Sequence, residues 1–161
     1  MAELITTDKI QYWMKTGTAT FVRVTEDIVF DPADDKQRYN PTYKDRLNQP
    51  EYVTGHKVSI PFEIDLLTPG ALQTYLLANE DELNVETEVI RVLMFQEVMA
   101  GEPLAGTGTY EAKKATFNMN QDPIDGSAGE AVRLTGTLNM TSDGWTAGTF
   151  DPATATFTPA V

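Results

Sequence analysis

Apolar side chains in this chain recur mainly at every second position, and that period limits the fold more than any other feature. Val58, Ile60, Phe62, Ile64 and Leu66 alternate with Lys57, Ser59, Pro61, Glu63 and Asp65. Successive side chains of a strand point to opposite faces, so this pattern gives a strand with one buried and one wet face. Proline has no amide hydrogen to donate, so Pro61 places the strand at a sheet edge or on a bulge. Val132, Leu134, Gly136, Leu138 and Met140 repeat the pattern against Arg133, Thr135, Thr137, Asn139 and Thr141. Ser142-Asp143-Gly144 is a turn signal, and 145–150 reads as the returning strand of a hairpin. Asp151-Pro152 turns the chain again before a short strand with Ala155 and Phe157, which makes the last third a three-stranded meander.

The middle of the chain adds two strands. Residues 85–95 are apolar on both parities near their end, as in a strand buried on both sides. In 106–119, Tyr110 and Ala112 lie on one parity and Ala115, Phe117 and Met119 on the other, so a bulge is expected at Lys113-Lys114. Residues 18–30 are rich in β-branched and aromatic side chains and read as one or two strands. A single helix is expected over 68–80, with Thr68 as cap, Pro69 in the first turn, and Leu72, Tyr75 and Leu76 as its apolar stripe. Residues 101–108 and 123–129 read as surface turns. The expectation is one domain over 1–161: a mainly β sandwich or barrel of two sheets, with one short flanking helix.

Between Asp31 and Gly55 the alternation disappears. Pro32, Pro41, Pro50, Tyr39, Tyr43 and Tyr52 fall in this stretch, which is long for a connection inside a compact domain. Its charge is distinct too. The chain carries 24 acids and 12 bases, a formal charge of −12, yet 31–57 holds five of each and sums to zero. A neutral segment that mixes both signs with tyrosine has the composition of a protein contact surface. Arg38, Tyr39, Tyr43, Lys44, Arg46 and Tyr52 are the expected contact residues, with 31–55 as an assembly loop and 1–17 as an N-terminal arm.

Supply narrows the chemistry. Cysteine is absent, His56 is the one histidine, and there are three serines. Thiolate metal sites and multi-histidine sites are excluded, and a Ser-His-Asp triad is nearly so. So acidic a chain is unsuited to gripping phosphates. The first residues lack the basic start and apolar run of a signal peptide, no stretch approaches membrane-spanning length, and synthesis in the cytoplasm without a leader is the expectation. Glu63/Asp65 and Glu86/Glu88 are acid pairs on wet strand faces. Oxygen-rich 118–126 lacks the spacing of a calcium hand and reads as a turn, as does 31–35. Tyr12, Trp13 and Trp145 suit packing better than a sugar platform. No catalytic, cofactor or metal residue is expected, and no enzyme activity.

Three stretches carry a family resemblance. Residues 52–63 (YVTGHKVSIPFE) follow an early strand and a long Tyr/Pro loop; 112–117 (AKKATF) form a charged central strand; 134–138 (LTGTL), Gly144, 148–151 (GTFD) and 155–158 (ATFT) make the ending. In this order they resemble the major tail tube proteins of long-tailed bacteriophages and their prophage relatives. The resemblance implies a β-sandwich with a flanking helix that assembles as hexameric rings, stacked into a hollow virion tail that conducts DNA. It implies partners of the tape-measure, terminator and initiator kinds, synthesis in a bacterial host, no membrane and no active site. An acidic lumen wall would repel DNA rather than hold it. A β-sandwich binding module, carbohydrate- or calcium-dependent, is the alternative from the residues alone.

Overall fold

The computed structural model describes residues 10–17, 20–25, 27–66, 70–82, 85–93, 109–124 and 132–161. In chain order these form β1 (Ile10–Lys15), β2 (Phe21–Arg23), β3 (Asp27–Phe30), β4 (Ala33–Tyr39), β5 (Tyr52–Asp65), α1 (Ala71–Ala78), β6 (Val85–Leu93), β7 (Tyr110–Gln121), β8 (Arg133–Met140), β9 (Thr146–Asp151) and β10 (Thr156–Pro159). The fold is mainly β with one short helix, as the alternation requires.

Instead of two separate sheets there is one ten-stranded hydrogen-bonded sheet, in the order β2-β1-β6-β7-β8-β5-β3, with β9 also on β7, β10 on β9 and β4 on β5. Every pairing is antiparallel. The sheet curls, because strands distant in that order share a core. Met14 of β1 and Val89 of β6 cluster with Phe30 of β3, Ile60, Phe62 and Ile64 of β5, and Leu134 and Leu138 of β8. The Tyr12 and Phe30 ring centroids lie 5.1 Å apart across this core. Each large side chain removed from water here contributes about 1.5–3 kcal/mol.

The long strands β5 and β7, of 14 and 12 residues, make the curl possible because each changes partner along its length. The first half of β7 pairs with β9 and its second half with β8. The bulge expected at Lys113-Lys114 is absent: the β6–β7 register runs unbroken from Val85↔Met119 to Val92↔Ala112. What changes is the covered face. Ala115, Phe117 and Met119 enter the main core, while Ala112 and Tyr110 enter a second cluster with Ile90, Val92 and Phe150 on the opposite face. Both faces of β6 are therefore buried, as expected within the described part of 85–95; Met94 and Phe95 lie outside the described residues.

The expected hairpin between β8 and β9 is also replaced. Both strands pair with the same margin of β7 and run collinearly. Ser142-Asp143-Gly144 is an excursion between them rather than a reversal. The Thr141 and Ser142 amides donate to the Thr116 carbonyl, the Thr116 amide donates to Ser142 Oγ, and Gly144 takes φ +88°. Positive φ suits glycine, which has no Cβ to clash. The β9–β10 hairpin forms as expected, with Phe157 opposite Phe150.

Pro61 is neither at an edge nor on a bulge. β5 is flanked by β8 on one side and by β3 and β4 on the other, with one register from Phe30↔Phe62 to Ala33↔Ser59. Asp31-Pro32 fall opposite Pro61 and Ile60, so the missing amide coincides with the gap that divides β3 from β4. Two strands, β2 and β3, fill the described part of 18–30.

The helix begins later than expected. Gly70, not Thr68, is its N-cap, without a side-chain cap bond; Thr68 and Pro69 lie outside the described residues. The Gly70 carbonyl accepts from the Thr74 amide (3.0 Å) and hydroxyl (2.7 Å), which fixes the first turn. Leu72 and Leu76 are buried in the main core and Tyr75 packs at its rim. Asn79 closes the last turn by donating Nδ2–H to the Tyr75 carbonyl at 2.8 Å. Of the stretch read as an N-terminal arm, 10–15 are an interior strand with Met14 in the core; residues 1–9 lie outside the described set, as do 101–108 and most of 123–129.

Candidate assembly interface

The stretch without alternation is a β-hairpin arm. β4 pairs with the first half of β5 from Ala33↔Ser59 to Tyr39↔Tyr52, with a register shift at Gln37/Arg38. Every β4 residue is exposed. The sequence of β4, Ala-Asp-Asp-Lys-Gln-Arg-Tyr, is poor in strand formers. It is held because β5 is anchored in the core through Ile60, Phe62 and Ile64 and runs outward through Tyr52–Lys57, offering a continuous partner. A strand wet on both faces has no reason to alternate, which explains why the period vanished.

Side chains on the arm fix its shape. Arg38 donates to Glu51 Oε1 at 2.7 Å, and His56 Nδ1 lies 3.2 Å from Asp34 Oδ2. The Tyr39 and Tyr52 rings stack with centroids 6.4 Å apart and planes 22° from parallel. At the tip, Gln49 accepts from the Tyr43 amide (2.6 Å) and donates to the Tyr43 (3.1 Å) and Arg46 (2.8 Å) carbonyls. The Arg46 guanidinium sits 5.3 Å from the Tyr43 ring centroid. One amide side chain thus ties three backbone groups of the turn.

All six expected contact residues lie on this arm and are exposed. Arg38, Tyr39 and Tyr52 gather at the outer end of the ladder, and Tyr43 and Arg46 pair at the turn. Lys44 is exposed beside them. Sequence reading missed Leu47 and Val53, which are 103% and 58% exposed. A lone leucine between Arg46 and Asn48 was the available signal. Of the ten exposed large apolar or tyrosine side chains among the described residues, five (Tyr39, Tyr43, Leu47, Tyr52 and Val53) fall within 39–53, which marks the arm's outer half as the main apolar exposure of that set.

The other candidates resolve differently. Glu63 and Asp65 flank Arg133 at 3.9 and 3.2 Å, and Glu88 holds Lys15 and Lys114 at 3.4 and 3.7 Å. Trp13 joins Phe150 in the second cluster, while Tyr12 and Trp145 pack on the main core, so the three do not line one common face. Residues 118–121 belong to β7 rather than a turn, and Asp122 accepts from the Thr135 hydroxyl at 3.2 Å. Residues 33–35 open β4. Among the described residues, no three His, Asp or Glu side chains are grouped to hold a metal, and no helix is long and apolar enough to cross a membrane.

No protein-family model matches the sequence, and no curated protein matches it. The fold does have a counterpart among solved structures. One chain of the cryo-EM structure of the anti-feeding prophage (AFP) baseplate, 6-fold symmetrised, superposes with a TM-score of 0.56 at 8% sequence identity, over 94% of this chain and 98% of that one. At that identity the likeness is one of architecture: this chain shares the fold of a baseplate chain along nearly its whole length.

Proposed function

We propose that the protein is a structural subunit of a phage-type tail, assembling as six-membered rings that stack into a tube. The observation that carries this reading is the arm. A two-stranded ribbon alone is marginal in water, and this one exposes stacked tyrosines, Leu47 and Val53 without any covering element among the described residues. Such a surface is explained by a partner. The shared fold with a chain of a six-fold symmetrised prophage baseplate supports a ring-forming particle component, and the sequence likeness to tail tube proteins supports the tube.

The outward face of the β6–β7–β8–β5 region fits the lumen wall of this reading. It presents the short side chains Thr135, Thr137, Asn139 and Asn120 with the acids Glu63, Asp65, Glu86 and Glu88. Its bases Lys15, Lys114 and Arg133 lie within ion-pair distance of those acids. A polyanion passing over it meets carboxylates and already-paired bases, so DNA would slide without being held. Tape-measure, terminator and initiator partners belong to the same reading. No observation favours a sugar- or calcium-binding module.

Electron microscopy of concentrated protein tests the proposal. Rings or tubes with six-fold averages are expected. A monodisperse monomer at high concentration, with the arm folded against its own body, would overturn it.

A further inference from the structure

β5 is paired unequally on its two sides. On one side β4 and β3 accompany it from Tyr52 to Ile64. On the other, β8 accompanies it only from Ser59 to Asp65, because the chain leaves β8 after Met140 and bonds to Thr116 of β7 instead. Seven residues, Tyr52–Val58, therefore have one margin with no strand beside it among the described residues. At 3.3 Å per residue this margin is roughly 23 Å long.

The open margins of this sheet are not alike. β4 carries Asp34, Asp35, Lys36 and Arg38 and is preceded by Pro32, the features by which proteins keep an edge from pairing. β2 has three residues. The free margin of β5 reads Tyr-Val-Thr-Gly-His-Lys-Val, mostly strand formers, with Lys57 its one full charge. An added Cβ at Gly55 would meet nothing within 4 Å, so the face of the strand is open there as well. β10, Thr-Phe-Thr-Pro, carries no charge and among the described residues pairs only with β9. Because the Ala160 amide bonds to the Ala147 carbonyl, positions 157 and 159 turn outward, and with proline at 159 Phe157 is the donor on the open margin. β3, the end strand of the order, has four residues and opens on Asp27. Of these margins among the described residues, those of β5 and β10 carry the least charge for their length, and they differ in sequence.

We infer that the Tyr52–Val58 margin of β5 receives the β10 margin of a second copy of this chain, head to tail. The inference rests on the assembly reading above and names the contact through which it works. Self-pairing of either margin would give a two-fold dimer and end growth. Pairing one margin with the other leaves every open assembly one free margin of each kind, so the contact repeats until a ring closes. The added strand would also continue the line of β8 along β5, converting the arm from a two-stranded ribbon into part of a three-stranded sheet.

Single proline substitutions at Gly55, His56 and Lys57 test this, because successive amides of a strand point to opposite margins. One parity bonds to β4 and the other faces the open side. Proline on the open parity should leave the melting temperature of the free chain unchanged and raise the concentration needed for assembly about tenfold or more. Proline on the β4 parity should fray the arm in the free chain, seen as lost amide protection there. An open-parity variant keeps its own β10, so about one part in ten mixed into wild type should shorten the assemblies. In the wild type, the open-parity amides of 52–58 and the Phe157 amide of β10 should gain exchange protection on assembly. Assembly that survives open-parity proline, or that forms without new protection at these amides, overturns this inference alone. A wild-type chain that never assembles overturns the assembly reading, and this inference with it.

Discussion

Single residues mark where this sheet has no spare room and where it has plenty. A Cβ on Gly136 would lie 2.6 Å from the Asn120 carbonyl oxygen, 2.7 Å from Phe62 Cζ and 2.9 Å from Gln121 Cα. Two of those contacts are backbone atoms of the adjacent strand and cannot swing aside. Gly136→Ala should destabilise by about 1–3 kcal/mol, read as a lower denaturant midpoint with unchanged slope. Gly55→Ala, with nothing in reach, should be neutral or slightly stabilising through the reduced freedom of the unfolded chain. Equal effects at both sites would mean that strand crowding does not decide which glycines are required. Sequence reading placed Gly136 correctly on the inward parity of its strand. That it must be glycine depends on Phe62 and the β7 backbone, which lie far away along the chain.

The elements differ in how much of them could be read locally. The stretches 58–66 and 132–141 were legible because one face is buried and the other wet. β4 was not, because it is wet on both faces and its composition argues against a strand. The supposed slip in β7 was a true pattern misread: the apolar parity does change, but because the sheet is covered on one face at one end and on the other face at the other. The Ser142-Asp143-Gly144 signal was real, yet a turn signal does not say whether the chain reverses or resumes its line. Removal of Asn40–Asn48, the outer end of the arm, should leave thermal melting within a few degrees, because none of these residues is buried. Assembly should be abolished. A parallel loss of both, in calorimetry and sedimentation, would show that the tip stabilises the body.

At the scale of the whole molecule, charge is partitioned. The formal charge of −12 lies outside 31–57. In the proposed ring, six copies at −12 each would bring −72 together, so assembly would have to overcome repulsion, and a neutral arm is the part that could meet a neighbour without adding to it. On the candidate lumen face, among the described residues, Glu86 has no base paired to it in the way that Glu88 holds Lys15 and Lys114. Glu86→Lys should therefore leave assembly intact while placing an unpaired cation on that wall. DNA release from particles carrying it should slow, and slow most at low salt, where screening is weakest. Release at the wild-type rate at low ionic strength would remove the role assigned to this face.

The sequence by itself determined the class of fold, the helix and its buried stripe, the inward residues of the alternating strands 58–66 and 132–141, and the separateness of 31–57. All of these follow from local period, from turn-forming residues and from charge counted along the chain. Only the tertiary structure decided that the strands make one curled sheet, that β8 and β9 share a margin of β7, that the arm is a hairpin, and that Tyr52–Val58 lack a neighbour on one side. Those are matters of pairing between residues remote in sequence. A hydrogen-bonded ladder is indifferent to side-chain identity, so a strand's own residues record which face is buried but not which strand lies beside it.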